Sequence, residues 1–137
     1  YNSLAAKGGQ LYAATSAPAG FAAIIEKRTA AGVWSTELTA GSSAAAGYYD
    51  ALVEWNGKLY AQQGYSTTIF AVVIQDSVGS WSTDKDMAAA GSTSTGYFLS
   101  TPDLLFASGP PRVFVKNLSN SWSTSLSDAS LTHGMLI

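Results

Sequence analysis

The tripeptide Trp-Ser-Thr occurs three times in this 137-residue chain, as VWSTE around Trp34, SWSTD around Trp81 and SWSTS around Trp122. The intervals of 47 and 41 residues are too long for any helical or strand period and have the length of whole supersecondary repeats. Only Trp55, of the four tryptophans, stands outside the set. A chain with this pattern is expected to fold as copies of one unit.

Around each Trp the copies align without a gap. Ile25-Glu26-Lys27-Arg28-Thr29, Val72-Val73-Ile74-Gln75-Asp76 and Val113-Phe114-Val115-Lys116-Asn117 occupy equivalent places before Trp34, Trp81 and Trp122. Five residues before every Trp stands Thr, Asp or Asn, types that bond their own backbone and accept turn geometry. Each copy therefore reads as a strand, a polar turn and a Trp-bearing strand. Upstream, GQLYAA, GKLYAQ and DLLFAS place Leu11, Leu59 and Leu105 at intervals of 48 and 46 residues. Tyr1, Leu4, Lys7 and Gly9 fall on Tyr49, Leu52, Trp55 and Gly57, and Asn56-Gly57 is a strong hairpin-turn signal.

One unit is then four short strands, ALVEW, KLYAQQ, IFAVVIQ and SWSTD, followed by a small-residue crossing such as MAAAGSTST. Four antiparallel strands per 40 to 50 residues describe a β-propeller blade. The expected fold is all-β: three blades over roughly 1–46, 47–94 and 95–132, forming one domain of a partial ring, with 133–137 starting another blade. The unbroken apolar run IFAVVI suits a strand covered on both faces, where a sheet with one wet face would alternate. A β-sandwich also has short, evenly spaced strands. It gives no reason for three copies of one pattern.

The stretch GKLYAQQGYSTTIFAVVIQDSVGSWSTDKDM resembles the blades of kelch-like propellers, with a Leu-Tyr strand, a loop, an apolar strand, a polar turn and a Trp in that family's order. The resemblance implies a propeller that recognises partners through its loops. The family's diglycine is replaced by Ala14-Thr15, Gln62-Gln63 and Ser108-Gly109. Hairpins ending in Trp also resemble the Asp-box repeats of sialidases, without the glycine two residues after the Asp. In a lectin-like reading the repeated Trp rings would stack on sugars. In a blade they fill the gap to a neighbour, which is the expected role of Trp34, Trp81 and Trp122 together with Leu11, Leu59 and Leu105.

Three blades do not close a ring, because propellers have about four to eight. The C-terminal HGMLI repeats the Gly-plus-apolar start seen in AGYYD and TGYFL, 12 residues after its Trp against 13 and 15. Joined to another copy's YNSLAAKGGQLY, it nearly restores an intact blade. Two 137-residue units, as two chains or as tandem segments, are therefore expected to meet head to tail, closing a ring or running on into a fibre. The chain opens on Tyr1 without a leader-like segment and reads as a processed product or a piece of something longer.

Hydrophobic residues make up 47% and charged residues 12%, about half the usual charged share, which excludes disorder through high charge. A net charge of −2 with seven scattered basic residues gives nucleic acid no footprint, and IFAVVI is too short to span a bilayer. There is no cysteine, so no disulfide or thiolate metal site. The single histidine, His133, has no second imidazole and reads as structural. Asp84 and Asp86 read as a solvated turn, because Glu37 and Ser125 replace Asp84 in the other copies. No catalytic set, metal or cofactor is expected.

Aromatics that the repeat does not require are the candidates for ligand or partner contact: Trp55, Tyr65, Tyr48, Tyr49, Tyr97 and Phe98. Asn117-Leu118-Ser119 is a candidate glycosylation triplet on a turn. The expected function is a non-catalytic module, extracellular or at a cell surface, that binds glycans or joins copies of itself. An intracellular kelch-like interaction domain, with its site on the loops QQGYSTT and ATSAPAG, is one alternative. A fragment of a sialidase- or oxidase-like propeller enzyme is the other.

Overall fold

The computed structural model describes residues 1–17, 22–40, 47–65 and 68–127. The turns come first, because they fix the registers. Asn56 and Gly57 lie at φ 49° and 72°, and Gly8 and Gly9 at 55° and 75°, the paired left-handed conformations that close a two-residue hairpin. A second left-handed position recurs two residues before each Trp, at Gly32, Gly79 and Asn120. Only glycine and asparagine reach that region readily.

The first copy forms β1 (Ser3–Lys7), β2 (Gln10–Ala14), β3 (Ser16–Ala17), β4 (Ala23–Arg28) and β5 (Trp34–Ala40). The second forms β6 (Gly47–Trp55), β7 (Lys58–Tyr65), β8 (Ile69–Ser77) and β9 (Ser80–Asp86), and the third β10 (Phe98–Ser100), β11 (Leu104–Gly109), β12 (Arg112–Asn117) and β13 (Trp122–Ser127). All pairings are antiparallel, in three sheets ordered β1-β2-β4-β5, β3-β6-β7-β8-β9 and β10-β11-β12-β13. Each copy is thus a four-stranded meander. The two-residue β3 crosses to the middle sheet and pairs with Gly47 and Tyr48. The described residues contain no helix, and the arrangement is that of an open, partial propeller.

The middle sheet lies between the other two. In β8, Val73 belongs to a core shared with the first sheet through Tyr12, Ala14 and Ile25. Its neighbours Phe70, Val72 and Ile74 belong to a second core shared with Leu105, Ala107 and Phe114 of the third sheet. Alternate side chains of one strand therefore serve two cores, which explains the apolar run. In β6 a bulge at Asp50 resets the alternation: Tyr49 pairs with Gln63 and Ala51 with Gln62. Tyr49 and Leu52, three apart, consequently share the first core.

The repeated leucines show what the ends lack. Leu59 and Leu105 are fully buried against the preceding sheet, whereas Leu11 meets no other sheet on that face among the described residues and stays partly exposed. Leu59→Ala is expected to cost about 2–5 kcal/mol, the range for a buried leucine that leaves a cavity. Leu11→Ala at the equivalent place should cost well under half as much. Urea unfolding in dilute solution checks this, and equal losses would contradict the face assignment.

Candidate functional site

The residue after each Trp-Ser-Thr is the extra residue of a β-bulge. Ile25 pairs with Leu38 and Glu26 with Thr36, leaving Glu37 unpaired. Val72 pairs with Lys85 and Val73 with Thr83, leaving Asp84. Val113 pairs with Leu126 and Phe114 with Thr124, leaving Ser125. A bulge turns two successive side chains to one side of the sheet. Here that side is the one facing the next copy.

Between the first and second sheets, Glu37 Oε1 accepts hydrogen bonds from Gln75 Nε2 at 2.7 Å and from the Gly79 amide at 2.6 Å. Glu37 Oε2 lies 3.4 Å from Lys27 Nζ, and Lys7 Nζ donates to Gln75 Oε1 at 2.9 Å. Leu38, the other side chain of the bulge, packs against the core beside them. Trp81 packs against the same core from the second sheet.

The second gap repeats the plan with different chemistry. Asp84 accepts from Lys116 Nζ at 2.8 and 2.6 Å and from Trp122 Nε1 at 2.7 Å. The Lys116 side chain is 1% exposed, so its charge needs this partner. The ammonium also lies 5.7 Å from the Tyr60 ring centroid and 5.3 Å from that of Trp122. Burial and then the Asp84 charge push the Tyr60 hydroxyl up to about 12. Lys85, the second side chain of this bulge, sits over Phe114 of the next sheet at 5.3 Å.

In each copy the Trp pairs across its hairpin with the residue just before the turn: Arg28 with Trp34, Gln75 with Trp81, Lys116 with Trp122. One rule covers both gaps. A carboxylate on the bulge of one sheet meets the polar cross-strand neighbour of the next sheet's Trp. This corrects the solvated-turn reading of Asp84, whose side chain is 11% exposed. The repeat obscured it, since the third copy has Ser125 where no further sheet follows among the described residues.

The two end sheets present the unmatched halves of this joint. On the first, Arg28 is exposed and Trp34 is half-buried, stacked on Tyr1 at 5.7 Å between centroids. On the third, Ser125 is exposed and Leu126 is 47% exposed.

The aromatics singled out from the sequence do not form one surface. Trp55 is buried in the second core, 5% exposed, and its Nε1 donates to the Thr101 carbonyl at 2.8 Å. At the place of Lys7, it too reaches from the end of a first strand to the next sheet. Tyr49 is fully buried, with a hydroxyl that lacks a partner among the described residues and is driven up by burial. Tyr48 and Phe98 pack at the edge of the second core, and Tyr97 is 56% exposed. Tyr65 ends β7 opposite Gly47, about 20 Å by strand rise from Lys58, the residue that pairs with Trp55. Its side chain lies outside the described residues.

Asn117 stands in an exposed turn, its Oδ1 accepting from the Ser121 amide at 3.1 Å. His133 and HGMLI lie outside the described residues, as do parts of the loops QQGYSTT and ATSAPAG. Among the described residues no group of three or more His, Cys, Asp or Glu is placed to hold a metal ion. One polar cluster sits on the β6 bulge, where the Thr95 hydroxyl donates to Asp50 Oδ2 beside the Tyr48 hydroxyl. Burial raises the Asp50 carboxyl above its usual range, against the opposing pull of the Thr95 bond.

Asp84→Ala should destabilise the fold by about 3–5 kcal/mol, because the buried Lys116 amine would lose its partner. Adding Lys116→Met should recover most of that loss in urea unfolding. If the double variant is no better than the single one, the carboxylate acts through something other than Lys116. For Asp50 the raised folded-state pKa means that the native state binds its proton more tightly than the unfolded chain. Stability then falls as pH rises from the ordinary carboxylate value through the folded one. Asp50→Asn should remove this slope, so that the variant gains on the wild type as pH rises through that window. A pH-independent difference in urea midpoint would show that Asp50 ionises without penalty.

Comparison of the chain with protein-family models, with curated proteins and with solved structures finds no match.

Proposed function

We propose that this chain is a non-catalytic, kelch-like propeller module that works by association, its two open sheet faces joining copies of itself head to tail. The observation that carries this reading is the contrast between the middle sheet and the ends. Positions that are buried on the middle sheet recur, exposed, on the outward face of the first sheet, and those of Tyr60 and Ile74 recur half-buried, as Phe106 and Val115, on that of the third. Leu52 is 7% exposed and its equivalent Leu4 58%; Tyr49 is fully buried and its equivalent Tyr1 is 70% exposed. Exposed apolar side chains gathered on a sheet face mark an interaction surface.

Because the two open faces differ, the contact is heterologous, and it closes a ring or propagates according to its rotation. The Ala-, Gly-, Ser- and Thr-rich, weakly charged composition fits a module outside the cell or at its surface. The scattering of the aromatics favours joining copies over holding glycans.

Light scattering across a dilution series tests the proposal. The expected result is a discrete two-chain species that dissociates on dilution. A heterogeneous polymer would mean a junction that forms without closing, and a monomer at every concentration would overturn self-association.

A further inference from the structure

We infer that Arg28 and Trp34, on the open face of the first sheet, form a receiving site for the bulge residue of a second copy's third sheet, Ser125. The missing carboxylate at position 125 would then set the strength of that junction. The inference rests on the association reading above and adds the chemistry of its contact point.

Both internal joints use the same three positions. A bulge side chain, Glu37 or Asp84, reaches the residue that pairs with the next Trp, Gln75 or Lys116, at 2.6 to 2.8 Å. Arg28 pairs with Trp34 in the same register and on the same relative face. It is the one arginine in this role, and a guanidinium is suited to a carboxylate partner. Among the described residues it has no carboxylate within ion-pair distance; its Nε makes only a 3.4 Å bond to the Gly32 carbonyl. The neighbouring acid on that face, Glu26, accepts the Tyr1 hydroxyl at 2.7 Å.

The other half of the joint is on the third sheet. Ser125 occupies the bulge, with Leu126 turned to the same side where Leu38 and Lys85 contact a following sheet in the other copies. A second copy's third sheet thus brings the apolar part of the contact and a neutral hydroxyl in place of the acid. Such a junction forms without its charge pair and is weaker than either internal one.

The test compares self-association of the full chain for wild type, Ser125→Asp, and Ser125→Asp combined with Arg28→Gln, with Ser125→Asn as the neutral control. Sedimentation equilibrium gives the dissociation constants, and circular dichroism verifies that each variant is folded. Ser125→Asp is expected to tighten association about tenfold or more at low salt, as a charge-assisted bond does. The gain should vanish in high salt and in the Arg28→Gln background, and Ser125→Asn should not reproduce it.

Association that ignores both substitutions would overturn the site while leaving head-to-tail joining in place. A monomeric wild type that Ser125→Asp converts to an Arg28-dependent oligomer would support the site and overturn self-association of the natural chain. A monomer in every form would overturn both. Should Ser125→Asp fail to fold, the charge reversal Arg28→Glu with Ser125→Lys replaces it, expected to associate more tightly than either single change; no coupling between the two would overturn the site.

Discussion

A strand with apolar side chains on both faces needs a sheet on each side of it, and β8 imposes that requirement on everything else. Phe70, Val72 and Ile74 point one way and Ala71 and Val73 the other, so neither face can be left to water without losing the burial that holds the unit together. The first and third sheets supply the cover. What is left open is the outer face of each.

Apolar packing alone does not set how neighbouring sheets register, because such contacts are non-directional. The bulge carboxylates do. Glu37 binds Gln75 and the Gly79 amide, and Asp84 binds Lys116 and Trp122, so each holds two defined groups of the next sheet. Burial makes an incorrect pairing costly, since the Lys116 ammonium or the Gln75 amide would lose its acceptor. The tryptophans fill the remaining volume on the side of the preceding sheet. Trp122 also donates to the carboxylate, whereas the Trp81 Nε1 has no partner among the described residues. The two joints are therefore variants of one plan, the first held by an amide and the second by an ammonium between aromatic rings.

Much of the fold was legible in advance because it is written in local chemistry. Asn56-Gly57 marked a hairpin since few other pairs adopt two successive left-handed conformations. Thr29 and Asn117 marked turns through side chains that bond the chain four residues on, to Val33 and Ser121. The contact residues were harder to read. Trp55 looked like a dispensable aromatic on a turn, and only the arrival of Thr101 from the third sheet shows why it is there. Asp84 looked solvated because its counterpart Ser125 broke the repeat; a bulge is a matter of pairing register, and register involves a strand distant in sequence. Acid, acid and serine after Trp-Ser-Thr was the available signal, and it makes sense once the third copy is seen to have no described neighbour beyond it.

The sequence by itself determined the number of units, their strands and turns, and the all-β character, because each follows from residues within a few positions of one another. The tertiary structure alone decided which face of each sheet meets which neighbour, where the bulges aim their side chains, and which equivalent residues are buried or open. Those outcomes depend on a sheet's place in the stack. Leu59 and Leu11 have closely matching surroundings in sequence, and among the described residues only Leu59 has a sheet in front of it.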